Sequence, residues 1–248
     1  MVSGAQDTLT RLVSTYVDTY HSKPTVNDLS RWLQHSPSEE VYHVLKTVRD
    51  ADKSTAIHIA TFRDHPDVLT LFLESVTPVE KYQLLSMSND KGFAPLHVAV
   101  SQNSTKTVGR IMDLATPELR YQQLKMPVAT TGDTSIHEAS RRAYSNFVTT
   151  MLHSVTPRQR FELIKTQNDS GNTIVHLAAQ NSLSNLIRSI LKPITPAQQL
   201  QVLDLKNSSN RTASDEALKF KSLSVVKLLI EYKRSIENDD EITPASGA

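Results

Sequence analysis

Residues 92–100 read G-F-A-P-L-H-V-A-V and residues 171–179 read G-N-T-I-V-H-L-A-A, so each stretch carries a glycine, a histidine five positions on and an alanine two further. The pair His-x-Ala occurs at His58 and Ala60, His97 and Ala99, His137 and Ala139, and His176 and Ala178, with successive histidines 39, 40 and 39 residues apart. A fifth copy keeps the frame with Asp215 and Ala217, another 39 residues on, and lacks the histidine. A second marker runs in phase: Thr77-Pro78, Thr116-Pro117, Thr156-Pro157 and Thr195-Pro196, with Ser36-Pro37 as an earlier copy. Both markers share the same one-residue insertion, which coincidence does not explain. A fixed period of this length is the signature of stacked repeats, each burying its apolar face against its neighbours.

Local chemistry fills in the repeat. Five residues before the frame position stand Lys53, Gly92, Gly132, Gly171 and Asn210. A tight turn with positive φ favours glycine and then asparagine, leaving Lys53 as the exception. Two residues later come Thr55, Ala94, Thr134, Thr173 and Thr212; threonine there caps a helix A. A second helix B is marked by Val68, Leu69, Phe72 and Leu73; Phe147, Val148, Met151 and Leu152; Leu186, Ile187, Ile190 and Leu191; and Val225, Val226, Leu229 and Ile230. The second repeat has Val108, Ile111 and Met112, with polar Thr107 in first place. Positions i, i+1, i+4 and i+5 make one buried helical face. Each Thr-Pro pair then opens a third, shorter helix, threonine as cap and proline at the first helical position.

A turn glycine, T-x-x-H-x-A opening helix A and a V-V-x-x-L-L-like helix B resemble the ankyrin repeat. The period departs from the family's usual 33 residues, and the additional residues hold the Thr-Pro helix. The fold class expected is therefore all-α: an ankyrin-type helical solenoid with an additional short helix between repeats and an N-terminal helical cap. Residues 1–49 form that cap, residues 50–232 five ankyrin-like repeats, and residues 233–248 a disordered acidic tail. In the cap, Leu9, Leu12, Val13, Tyr16, Val17 and Tyr20 make one stripe, and Thr25 with Asp28 introduces Leu29, Trp32 and Leu33. Extended Thr-Pro connections are similar to those of ankyrin proteins that intracellular bacteria inject into eukaryotic cells. That resemblance implies a secreted effector and a host-protein partner in the host cytoplasm.

Composition bounds the chemistry. Of the 248 residues, 38% are apolar, 27 are basic against 26 acidic, and none is cysteine. Without cysteine there are no disulfides, thiolate nucleophiles or sulfur-ligated zinc sites. A net charge of +1 exerts no general pull on nucleic acid or anionic membrane. No signal peptide or apolar run long enough to span a bilayer is visible, so the expected compartment is cytoplasmic with no membrane insertion.

No catalytic motif is present: there is no G-x-S-x-G elbow, P-loop, dinucleotide fingerprint or H-E-x-x-H, since Arg141 stands where the second histidine would follow His137-Glu138. The frame histidines sit one packed helix apart, about 10 Å, too far to share a metal ion. The expectation is a non-enzyme without cofactor or metal, most simply a monomer. Rival readings are a nucleic-acid binder using Arg141, Arg142, Arg158 and Arg160, or an enzyme with an unrecognised site.

Recognition in ankyrin proteins uses the turn tips and the exposed positions of helix A. Carried onto this sequence, the resemblance implies partner-binding residues Phe62, Arg63, Asp90, Lys91, Phe93, Gln102, Arg141, Arg142, Gln180, Asn181, Lys219 and Phe220. Phe62, Phe93 and Phe220 are the aromatic anchors among them, and Arg63, Arg141 and Arg142 could grip carboxylates.

Overall fold

The computed structural model describes residues 11, 13–15 and 26–241. Apart from one isolated β-bridge, between Arg49 and Thr55, the regular structure of the described residues is helical. The chain forms two compact units, divided after Thr130.

In the first unit, α1 (Val26–His35) and α2 (Ser38–Thr47) precede two repeats. The first repeat holds α3 (Ala56–Phe62), α4 (Pro66–Glu74) and α5 (Pro78–Ser86); the second holds α6 (Pro95–Ser101), α7 (Thr105–Leu114) and α8 (Pro117–Lys125). Like packs on like: α3 on α6, α1 on α4 and α4 on α7, and α2 on α5 and α5 on α8. The cap thus supplies a helix of type B and a helix of the third type, with Leu29, Leu33, Val41, Val44 and Leu45 buried. Of the expected stripe from Leu9 to Tyr20, Val13 is described and buried, and the other members lie outside the described residues, as does Thr25.

The second unit contains α9 (Ser135–Arg141), α10 (Ser145–His153) and α11 (Pro157–Lys165), then α12 (Ile174–Gln180), α13 (Ser184–Leu191) and α14 (Pro196–Asp204), and finally α15 (Ala213–Lys219) and α16 (Leu223–Glu241). The three ranks recur, with α9, α12 and α15 in one, α10, α13 and α16 in the next, and α11 beside α14. Residues 233–241, expected to belong to a tail, lie in α16. Helix α16 runs through Glu241 because Ile236 is still buried and Lys233 pairs with Asp204 of α14 at 2.5 Å; residues 242–248 lie outside the described residues.

Caps set the helix starts. Thr77, Thr116, Thr156 and Thr195 accept a backbone N–H from the third helical residue, with proline at the first position. Ser36-Pro37 differs: the helix begins at Ser38, Pro37 makes no capping bond, and the Ser36 hydroxyl instead donates to the Trp32 carbonyl at 2.8 Å. The fourth residue of the third helix reaches back to helix B. Arg120 donates to Met112 O, Arg160 to Leu152 O and Gln199 to Leu191 O, at 2.6, 2.7 and 2.9 Å. These donors satisfy carbonyls that the end of helix B leaves unpaired.

Two left-handed positions shape each repeat. The first set is Lys53, Gly92, Gly132, Gly171 and Asn210, so Lys53 takes the turn's conformation despite its side chain. The second set follows helix A at Asp64, Asn103, Ala143, Ser182 and Lys221, none a glycine. The next residue's N–H closes back on the alanine of His-x-Ala: His65 on Ala60, Ser104 on Ala99, Tyr144 on Ala139, Leu183 on Ala178 and Ser222 on Ala217, all at 2.8 to 2.9 Å. Those alanines are fully buried, which leaves no room for a larger side chain.

The glycines differ in what surrounds them. A Cβ at Gly171 would lie 2.6 Å from the Ser208 amide nitrogen, whereas one at Gly92 would lie 3.4 Å from its nearest neighbour, the Ala129 amide nitrogen. Gly92→Ala should cost about 1 kcal/mol, from the left-handed backbone alone. Gly171→Ala should cost at least about twice that, since backbone must move. Urea denaturation of both variants checks this, and equal losses would refute the steric reading.

Candidate functional site

Four of the five turn tips are built on an Asx residue eight positions before the frame position; in the third repeat Ala129 stands there. Asp50, Asn89, Asn168 and Asn207 accept two backbone N–H groups apiece through Oδ1, at 2.8 to 3.1 Å. Their amides then tie one turn to its neighbour: Asn89 donates to Ser54 at 3.3 Å, Asn168 to Asp133 at 2.6 Å and Asn207 to Asn172 at 2.9 Å. Backbone bonds join the same turns, from Asp90 N to Asp52 O, Asp169 N to Thr131 O and Ser208 N to Ser170 O. The recurrence of Asp50, Asn89, Asn168 and Asn207 on the repeat period is a further signal of these turns in the sequence.

Three of the four frame histidines, His58, His137 and His176, fix the same turns from below. His58 accepts the Thr55 N–H at Nδ1 (3.2 Å) and donates from Nε2 to the Phe93 carbonyl at 2.9 Å. His137 donates to the Thr166 and Asn172 carbonyls, both at 3.1 Å, and His176 to the Arg211 carbonyl at 3.1 Å. These bonds define the neutral Nε2–H tautomer. Burial pushes all three imidazoles below the usual histidine range, His58 to about 4. Asp215 in the fifth repeat keeps the cap, accepting from the Thr212 amide and hydroxyl at 2.8 Å, and has no proton to donate onward.

In the first unit these turns and helices α3 and α6 enclose a groove of about 330 Å³. Ile59, Phe62, Phe93 and Val98 give it an apolar lining; Asp52, Asn89 and Lys91 stand at the turn side, with Arg63, Ser101 and Gln102 at the helix ends. Phe62 is 45% exposed, and the half-buried Phe93 ring lies stacked on His97 with centroids 6.3 Å apart. The bond from His58 ties the Phe93 backbone to α3, the helix that carries Phe62. The tips are laced by Lys91–Asp52 at 3.3 Å and Lys53–Asp90 at 3.0 Å, exposed pairs of small energetic weight.

Five of the sequence-derived residues, Phe62, Arg63, Lys91, Phe93 and Gln102, therefore line one groove. Asp90 sits at a tip, paired with Lys53. In the second unit Arg141 and Arg142, expected among the partner-binding residues, are both exposed and stand beside acids of their own repeat. Arg141 pairs with Asp133 and Glu138, and Arg142 with Glu138 at 2.5 Å, because the turn and helix α9 place acids within reach. Gln180 donates to the buried Glu216 at 3.1 Å, Asn181 to the Arg141 carbonyl at 3.1 Å, and Lys219 lies over the Phe220 ring at 5.4 Å. Among the described residues, no group of three His, Asp or Glu side chains is placed to hold a metal ion, and no helix is long and apolar enough to cross a membrane.

No protein-family model matches the chain, and no curated protein matches its sequence. Solved structures do. The ankyrin repeat domain of Bcl-3, of the IκB family, superposes with a TM-score of 0.61 at 21% identity, covering 92% of this chain and 95% of that one. EF0377, an ankyrin repeat protein, gives 0.59 at 18% identity, with 85% and 100% covered. A chain from the complex of the Bdellovibrio bacteriovorus predatory endopeptidase Bd0816 with immunity protein Bd3460 gives 0.58 at 19% identity, with 85% and 98% covered. The fold is the all-α ankyrin type.

The depressed histidines make stability depend on pH. Unfolded histidine titrates near 6.5 and folded His58 near 4, so its contribution is complete above about pH 6.5 and disappears as the pH falls toward 4. For His58 this amounts to about 3 kcal/mol, with losses of the same sign from His137 and His176. Urea midpoints should fall steadily between pH 6.5 and 4.5. A flat profile would contradict the neutral, buried assignment.

Proposed function

We propose that this protein is a non-catalytic scaffold that binds another protein through the groove lined by Phe62 and Phe93. One observation carries the reading: two aromatic rings, one of them half exposed, stand in a concavity whose walls are held rigid by hydrogen bonds and whose rim is polar. Such a surface desolvates an apolar side chain at its centre and leaves polar groups to satisfy the partner's backbone around it. A groove already ordered before binding loses little conformational freedom when the partner arrives. Structural similarity to ankyrin proteins supports the choice of a macromolecule over a small substrate, and the Bd0816 complex with an immunity protein is one in which such a fold occurs in a protein assembly. The extended Thr-Pro connections, similar to those of injected bacterial ankyrin proteins, extend the proposal to a host-cell protein met in the host cytoplasm. The nucleic-acid alternative loses its main support, because Arg141 and Arg142 are engaged by Asp133 and Glu138.

Affinity capture from eukaryotic lysate, comparing the unaltered chain with Phe62→Ala, tests the assignment. Truncating a central aromatic anchor should weaken an identified complex by about 2 kcal/mol, roughly thirtyfold. Because Phe62 is half exposed, urea stability should change little. Retention of the same partners at unchanged affinity by Phe62→Ala and Phe93→Ala would remove the groove from consideration.

A further inference from the structure

The turn side of the Phe62 and Phe93 groove is formed by two Asx turns. Asp50 accepts the N–H groups of Asp52 and Ser54 at 3.0 and 2.8 Å, Asn89 accepts those of Lys91 and Phe93 at 3.1 and 3.0 Å, and all six residues line the concavity. Asn89 takes part in both turns. Its Nδ2–H donates to the Ser54 hydroxyl at 3.3 Å, and its main-chain N–H closes on the Phe93 carbonyl at 3.0 Å. In the second unit Asn168 and Asn207 make the same paired bonds, to Ser170 and Asn172 and to Ser209 and Arg211. The same device in the first unit displays a ring and a cation.

Both displayed side chains have a set place. The Phe93 ring is stacked on His97, and Lys91 reaches Asp52 at 3.3 Å. Their directions follow from the backbone that carries them, which the Asn89 Oδ1 holds at two points. Without that oxygen, two N–H groups lose their acceptor and the turn regains conformational freedom. A partner would then have to remove that freedom on binding.

We propose that Asn89 is the positioning residue of the groove, ordering Lys91 and Phe93 before a partner arrives and linking them to the first turn. This rests on the groove being the partner-binding surface. Position 50 indicates which replacement should serve, because there a carboxylate oxygen accepts the equivalent pair of N–H groups. Asn89→Asp keeps such an acceptor, and the Ser54 hydroxyl can donate to the new carboxylate in place of accepting.

Substitutions in the full chain test the assignment. Amide hydrogen exchange followed by NMR should show Lys91 and Phe93 N–H at least about tenfold less protected in Asn89→Ala, and close to the unaltered chain in Asn89→Asp. The protein identified by affinity capture, purified and titrated by calorimetry at neutral pH, should bind Asn89→Ala about tenfold more weakly, the ordering cost of roughly one residue. Asn89→Asp should restore binding, with circular dichroism unchanged in both variants. Should Asn89→Ala not fold, Asn89→Gln, which keeps the amide but displaces it by one methylene, carries the same expectations. Unchanged protection of the two amides overturns the proposal, as does full affinity in Asn89→Ala alongside a loss in Phe62→Ala. Equal losses in Asn89→Ala and Asn89→Asp would mark a general structural role and overturn it too. Full affinity in Phe62→Ala would remove the groove assignment itself, and this inference with it.

Discussion

The structure depends on a buried, neutral imidazole that spans two repeats. His58, His137 and His176 take the cap hydrogen bond of their own helix at one nitrogen and donate from the other to the carbonyl of a turn 35 residues further on. A protonated ring would place a second N–H against the cap donors in a region that water does not reach, so the neutral form is imposed. The bond couples three levels of organisation. It ends a helix start, it fixes a turn, and in the first unit it sets the Phe93 backbone opposite Phe62. The shape of the groove thus rests on core hydrogen bonding together with the Asx turns at Asp50 and Asn89.

The long period has its own physical account. A cap threonine and an N1 proline start the third helix cleanly, and Arg120, Arg160 and Gln199 then bind the carbonyls at the end of helix B. The inserted segment is consequently a packed element whose polar side chains finish the preceding helix. Its apolar residues, Leu84, Leu85, Leu124, Leu163, Ile164 and Leu203 among them, extend the buried layer beyond helix B.

Much of this was legible in the sequence, because it rests on residue types whose chemistry is local. The frame histidines, the Thr caps, the Thr-Pro starts and the helix B stripes all mark positions where one residue type has a strong local preference. Lys53 shows the limit: the fold imposes a left-handed backbone there, and tertiary hydrogen bonds outweigh the residue's own preference. The second left-handed position leaves no compositional trace, since Asp64, Asn103, Ala143, Ser182 and Lys221 share no feature. Side-chain pairing across space was equally hidden. Nothing in the order of residues tells that Asp133, eight positions before Arg141, turns back onto its guanidinium. Of the site, the aromatic members could be nominated in advance, whereas their convergence with Lys91 and Gln102 required the turn geometry.

The staple between neighbouring layers reaches a single period and no further. Removing or duplicating one whole repeat would therefore hand each imidazole a new carbonyl in the old position, with no distant bond left dangling. Genetic recombination between in-frame copies could lengthen or shorten such a protein while every intermediate still folds. The binding surface could then change in extent without the architecture being reinvented.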